Sequence, residues 1–202
     1  MKKINAKEIT ALILCGGQAQ RMGGQDKGLI LLQNKALVAW AIDRCKDQVG
    51  SILLNANRHI DQYQTFGWPV TSDITLDYRG PLAGFQVGLT HATTPYVLIM
   101  PCDTPLFPSN LVDRLLQAMA QSQVDCCYVV TIENGQEQAH PVFCLLKKTT
   151  LESLNLFLQT GQRKIDRWFA SLSHQKVLFD DSQAFLNINT PEELLQIEQT
   201  LQ

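Results

Sequence analysis

Hydrophobic positions in this chain follow two alternating patterns. Short unbroken apolar runs, Ala11 to Cys15, Ile52 to Leu54 and Val97 to Pro101, read as the centres of strands at 10–15, 51–55 and 94–100, the first of them buried on both faces, and 69–72 reads as a further short strand. Between them, apolar residues recur at three-and-four spacing. Leu37, Val38, Ala41, Ile42 and Cys45 make one face of a helix over 35–48. A short helix is expected over 59–66. A further helix is expected over 81–92, with Pro81 suited to its first position, and another over 108–121. Strand–helix alternation through the first 120 residues predicts a parallel sheet with helices on both faces and right-handed crossovers. Gly84 and Gly88, four apart on the helix at 81–92, predict close approach of a neighbouring element.

After residue 121 the pattern changes. Strands are expected at 125–132 and 140–146, with Asn134-Gly135 as a turn and a wide loop completing an antiparallel return. Helices follow at 150–159 and 163–172, then short strands at 175–179 and 185–187. Thr190-Pro191-Glu192-Glu193 is a capping box opening a last helix, with Leu194, Ile197 and Leu201 as its buried stripe.

Composition narrows the function classes. A chain of 202 residues, 45% hydrophobic, suits one domain with a full core. Net charge is −2, with no lysine or arginine run and no aromatics interleaved with basic residues, so no nucleic-acid groove is expected. No apolar run approaches the ~20 residues of a membrane span. Residues 1–8 lack an apolar core after their basic start, and are read as a frayed leader and not a signal peptide. Six cysteines without a C-x-x-C are read as buried free thiols. The four histidines do not pair at zinc-ligand spacing.

The chemistry concentrates where strands end. The first apolar run stops at Cys15 and gives way to Gly16-Gly17-Gln18-Ala19-Gln20-Arg21-Met22-Gly23-Gly24-Gln25-Asp26-Lys27-Gly28, five glycines in thirteen residues. Without Cβ atoms, backbone N–H groups can converge on an anion. Arg21 and Lys27 add the charge a polyphosphate needs. The Walker loop is excluded because Gly28 follows Lys27, and the G-x-G-x-x-G fingerprint does not match. Asp103, in Pro101-Cys102-Asp103-Thr104-Pro105, stands at a strand end where such sheets bind ligands, and is a natural magnesium ligand beside polyphosphate; the alternative is a turn former or helix cap. Asn55, Asn57, Arg58 and Asp73 sit at two further strand ends and suit the N1–H and N2–H₂ edge of guanine, with turn formation as the alternative. In the second half His140, Arg163, Lys164, Asn187 and Asn189 could hold a second anionic substrate, or serve as a solvated basic pair and a helix cap.

Leu14-Cys15-Gly16-Gly17, Arg21-Met22-Gly23-Gly24 and Asp26-Lys27 resemble the signature of nucleotidyltransferases that activate a phosphorylated acceptor. Asn55-Ala56-Asn57-Arg58, Asp73, Gly80-Pro81-Leu82-Ala83-Gly84, Pro101 to Pro105, His140-Pro141 and Asn187 to Glu193 make the resemblance specific to the MobA family of molybdenum cofactor guanylyltransferases. It covers essentially the whole chain. It implies a Rossmann-like three-layer α/β sandwich: a mostly parallel sheet, helices on both faces and a small antiparallel extension in the second half. One nucleotidyltransferase domain over 1–202 is implied, with a GTP-binding half at about 9–121 and an acceptor-binding half at about 122–202.

The same resemblance implies GMP transfer from GTP to the molybdenum–molybdopterin cofactor, with release of pyrophosphate. By position, the GTP contacts are Leu14, Cys15, Gly16, Gly17, Lys27, Asn55, Asp73 and Asp103. Arg21, Lys27 and Asp103 are the catalytic set, and Asp103 carries Mg²⁺. A phosphate monoester is largely dianionic near neutrality, so the acceptor would attack the α-phosphorus without a general base. Implied partners are GTP, molybdopterin, and cofactor-delivery and molybdoenzyme-maturation proteins, for a cytoplasmic monomer. A cytidylyl- or sugar-nucleotide transferase on the same fold, and a non-catalytic GTP-binding cofactor chaperone, remain open. Cys15 stands where the family usually has alanine, and a thiol beside the phosphates would make activity oxidant-sensitive.

Overall fold

The computed structural model describes residues 4–16, 26–74 and 80–201. In chain order the elements are β1 (Ile9–Leu14), β2 (Leu31–Leu32), β3 (Lys35–Ala36), α1 (Leu37–Cys45), β4 (Ser51–Asn55), α2 (Ile60–Gln64), β5 (Val70–Thr71), α3 (Pro81–His91), β6 (Tyr96–Pro101) and α4 (Leu111–Ser122). They continue with β7 (Cys126–Glu133), β8 (Gln136–Lys147), α5 (Leu151–Gln159), α6 (Ile165–Phe169), β9 (His174–Leu178) and α7 (Pro191–Thr200).

One sheet of seven strands, ordered β5-β4-β1-β6-β8-β7-β9, runs through both halves. β5, β4, β1 and β6 are parallel; β8 alone runs against its neighbours, and β9 pairs parallel with β7. The expected fold class is therefore the observed one. Side chains of β1 alternate between two cores. Ile9, Ala11, Ile13 and Cys15 face a core shared with α1, α2 and α4. Leu12 faces the core of α3, α5 and α6. Gly84 and Gly88 lie against β1 as expected: a Cβ on Gly88 would stand 2.6 Å from Leu12 Cδ2, and one on Gly84 2.5 Å from Leu14 Cδ2.

Three local expectations are corrected. The helix expected from residue 35 starts at Leu37, because Leu31–Leu32 and Lys35–Ala36 pair as a small hairpin around Gln33 and Asn34, both at positive φ. The wide return at Asn134-Gly135 is a tight two-residue turn, with Glu133 paired to Gln136. Positive φ at both Asn134 (50°) and Gly135 (76°) matches the twist of the flanking strands. The extra residues enter lower down as a bulge: Tyr128 pairs with Cys144, but the next residue, Val129, pairs with His140. Pro141 lies inside that bulge, where a residue without an N–H breaks the ladder. The strand expected at 185–187 is absent; Gln183–Phe185 is a 3₁₀ turn. Phe185 plugs there against Phe143 and Phe179 at ring separations of 5.1 and 5.3 Å.

The capping box on α7 is present in full: the Thr190 hydroxyl accepts from Glu193 N, and the Glu193 carboxylate accepts from Thr190 N. The α7 stripe is only partly buried. Leu194, Ile197 and Leu201 pack on a small third core of Ile30, Leu32, Leu37 and Ile188. That core ties the segment after Lys27 to the segment before α7. Thr190→Ala removes the cap and should cost about 1 kcal/mol in urea denaturation; unchanged stability would show that the third core alone holds α7.

Candidate active site

The parallel strands β4, β5, β1 and β6 all end at one edge of the sheet. Backbone bonds lock three of them where they leave it: Cys15 N donates to Asn55 O at 2.8 Å, and Cys102 N to Leu14 O at 3.1 Å. Gly16 is exposed and begins the glycine-rich segment. Gly17 and Arg21 lie outside the described residues. The Cys15 thiol is 2% exposed and packs in the core under this edge, donating to Ile13 O. Oxidants therefore find no exposed thiol at this position. Thiol–thiol contact with Cys15, followed by burial, raises the pKa of Cys102 well above the ordinary range.

Asp103, two residues past β6, is 9% exposed. Its Oδ2 accepts from Lys27 Nζ at 2.9 Å. The same ammonium donates to Asn189 Oδ1 at 2.5 Å. Asp103 O accepts from Ile188 N at 2.8 Å, and the buried Thr104 hydroxyl donates to Asn187 Oδ1 at 2.6 Å. Three segments far apart in sequence thus converge on one charged pair. An ammonium has three N–H donors, and among the described residues two of them are taken.

The other carboxylate oxygen, Asp103 Oδ1, is buried and has no hydrogen-bond partner among the described residues. Buried acceptors are ordinarily satisfied, so an orphan at a strand end is a place for a cation. Among the described residues no group of three His, Cys, Asp or Glu side chains could hold a metal. A single carboxylate oxygen nonetheless fits magnesium, which commonly takes one or two protein carboxylates and completes its shell with phosphate oxygens and water.

A second polar group stands at the ends of β4 and β5. Asn55 Nδ2 donates to Asp73 Oδ1 at 3.0 Å, and Asn57 Nδ2 to Asp73 Oδ2 at 2.9 Å. Asn57 Oδ1 accepts from Asp73 N at 2.8 Å. Asn55 is itself buried, with its Oδ1 2.7 Å from where a Cβ on Gly84 would lie. The two amides fix the carboxylate plane, and both Asp73 oxygens are acceptors that an incoming N–H could share. Asn57, which the sequence grouped with Asn55, Arg58 and Asp73 at this site, joins it by gripping Asp73 from both its amide nitrogen and its amide oxygen. Thr104 carried no signal beyond its place after Asp103.

The second-half residues divide. Asn187 and Asn189 join the Asp103 group directly. His140 lies at the base of the β7–β8 hairpin, which runs on past the end of β6. Its Nε2 lies 2.9 Å from the buried Thr131 hydroxyl, and its ring is 5.2 Å from Phe185. Arg163 instead donates to the carbonyls of Leu158 and Gln162, capping α5. Lys164 is exposed in the residue before α6.

A mostly parallel sheet whose carboxyl edge gathers a lysine–aspartate pair, an amide-held aspartate and the start of a glycine-rich segment defines a nucleotidyltransferase. Residues 11–177 match the model of the MobA-like NTP transferase domain, and the chain belongs to that family. It is 52% identical over 198 residues to the molybdenum cofactor guanylyltransferase of Polynucleobacter asymbioticus, covering 98% of this chain and 100% of that one. It is 46% identical to the protein of the same name from Bordetella petrii, covering 96% and 99% of the two chains. In fold it is similar to the molybdopterin-guanine dinucleotide biosynthesis protein A of Archaeoglobus fulgidus, with a TM-score of 0.74, 19% identity and coverage of 95% and 98%. It is also similar to the 2-C-methyl-D-erythritol 4-phosphate cytidylyltransferase of Thermus thermophilus, with a TM-score of 0.73, 14% identity and coverage of 94% and 97%. No helix among the described residues is long and apolar enough to cross a membrane.

Burial holds the His140 pKa below its ordinary value of 6.5. The unfolded chain therefore binds this proton more tightly than the folded one. Stability from the neutral ring is complete above pH 6.5 and is lost as pH falls through the folded-state value. Between pH 7.5 and 5 the wild type should lose more unfolding free energy than His140→Gln; equal losses would contradict the assignment.

Proposed function

We propose that this protein transfers GMP from GTP to the terminal phosphate of the molybdenum–molybdopterin cofactor, forming molybdopterin guanine dinucleotide and pyrophosphate. The observation that carries the reading is the Asp103 carboxylate, with one oxygen on Lys27 and the other buried and without a partner among the described residues, at the sheet's carboxyl edge. Two further facts support it. Asp73, held by two amides, offers the acceptors that a guanine N1–H and N2–H₂ edge needs. The two relatives described above are both named for guanylyl transfer. On this reading the protein works in the cytoplasm as a monomer and hands its product to proteins that mature molybdoenzymes.

Asp73, with Asn55 and Asn57 behind it, holds the base. Lys27 leaves Asp103 for the nucleotide's phosphate oxygens, joined by Arg21 and by backbone N–H groups of the segment Leu14 to Gly17. The acceptor phosphate attacks the α-phosphorus in line; a new P–O bond forms as the bond to pyrophosphate breaks. Lys27 and Arg21 neutralise the charge that collects on the departing pyrophosphate. Asp103 Oδ1 would hold magnesium, which when bound supplies positive charge to the reacting phosphate oxygens. Asn187, Asn189 and the neutral His140 border the acceptor side, with Arg163 and Lys164 further candidates for its anionic groups. The acceptor's phosphate is already ionised near neutrality, so no residue acts as general base.

Incubation with GTP, magnesium and molybdopterin, loaded or empty, should give the dinucleotide and pyrophosphate. Preference for CTP would indicate a cytidylyltransferase, and GTP binding without pyrophosphate a cofactor chaperone. Lys27→Ala and Asp103→Ala should stay folded yet lose on the order of 10²–10³ in transfer rate. A fully active Asp103→Ala protein would overturn the metal assignment.

A further inference from the structure

The residue before Lys27 is a carboxylate that the transfer chemistry does not use. Asp26 is only 5% exposed. Its Oδ1 accepts from the Tyr63 hydroxyl at 2.5 Å, and its Oδ2 lies 3.4 Å from His59 Nδ1. Tyr63 comes from α2 and is completely buried, in the core that also holds Cys15 and Cys102. Burial raises its pKa well above the ordinary 10, so the hydroxyl keeps its proton and is the donor. Gly28, on the other side of Lys27, wraps the same hydroxyl: a Cβ there would lie 2.5 Å from Tyr63 Oη. The backbone on both sides of Lys27 is therefore fitted to a single buried phenol.

A carboxylate in an apolar core is unfavourable unless fully partnered. Shaping a turn does not require one, and a neutral side chain would pack against Tyr63 without that cost. What the carboxylate adds is direction: it accepts from two donors that both belong to the segment following β4. That segment also carries Asn57, which grips Asp73. His59 itself adopts φ 51°, a left-handed backbone seldom kept by a non-glycine residue unless its surroundings fix it.

We propose that Asp26 and Tyr63, with His59, are positioning residues. They set Lys27 at the phosphate position and tie it rigidly to the base-holding segment, so that base and polyphosphate are gripped at one fixed spacing. The inference rests on the reading of Lys27 as a polyphosphate ligand and of Asp73 as a base ligand.

Calorimetric affinities for GTP and for guanosine test it, in the wild type, Tyr63→Phe and Asp26→Asn. Guanosine reports the base site alone; the ratio of the two affinities reports the polyphosphate grip. A lost hydrogen bond to a charged group predicts that the ratio falls about tenfold in Tyr63→Phe while guanosine affinity stays at the wild-type value. Asp26→Asn, whose amide oxygen can still accept from the phenol, should fall less. A merely structural role would lower the melting temperature and leave the ratio unchanged, or weaken both ligands equally; either result overturns the proposal. Equal wild-type affinity for GTP and guanosine would overturn the polyphosphate reading and this inference with it. A wild-type preference that survives both substitutions would overturn the inference alone.

Discussion

Everything at the carboxyl edge depends on one ammonium group. Lys27 Nζ bridges Asp103 and Asn189, which belong to chain segments far from it in sequence. Such a partly buried pair contributes little net stability, because desolvation offsets most of the Coulomb attraction. Its value lies in placement. It brings the end of the glycine-rich segment, the end of β6 and the loop before α7 to one point, and leaves a carboxylate oxygen without a partner among the described residues. On the proposed function, this pair is a suitable resting state for a site that takes up a metal and a polyphosphate together.

The sheet makes that convergence inevitable. Parallel β4, β5, β1 and β6 must all end on the same side, so their terminal polar residues meet there. The antiparallel β8 then carries His140 back to that edge. After β9 the chain crosses to Asp103, where Ile188 N meets the Asp103 carbonyl. Two cores on opposite faces hold the sheet, while the third core links the hairpin after Lys27 to α7. The acceptor-side asparagines are thereby fixed relative to Lys27 by packing as well as by hydrogen bonds.

Much of this was legible from the order of residues, and the failures have physical reasons. Central strands announced themselves because both faces are buried, which makes Ala11 to Cys15 and Val97 to Pro101 continuously apolar. Asp103, Asp73 and Asn55 could be singled out because a polar residue directly after such a run must sit at a strand end. The far part of β8 was missed because Gln136, Glu137 and Gln138 pair only with β7, beyond the end of β6, and are exposed, so they carry no apolar signal. Phe185 looked like strand because aromatic residues favour strands, but here it fills a gap between Phe143 and Phe179. Asp26 and Tyr63 were invisible as a pair. Nothing in a helical pattern distinguishes a core tyrosine from one that aims its hydroxyl at a carboxylate from another segment.

The most direct measurement is a crystal structure of this chain with magnesium and a non-hydrolysable GTP analogue. The account predicts a metal about 2.1 Å from Asp103 Oδ1, Lys27 Nζ on a phosphate oxygen, and Asp73 facing the guanine edge. A bound nucleotide with the Lys27–Asp103 pair intact and no metal on Asp103 would contradict it.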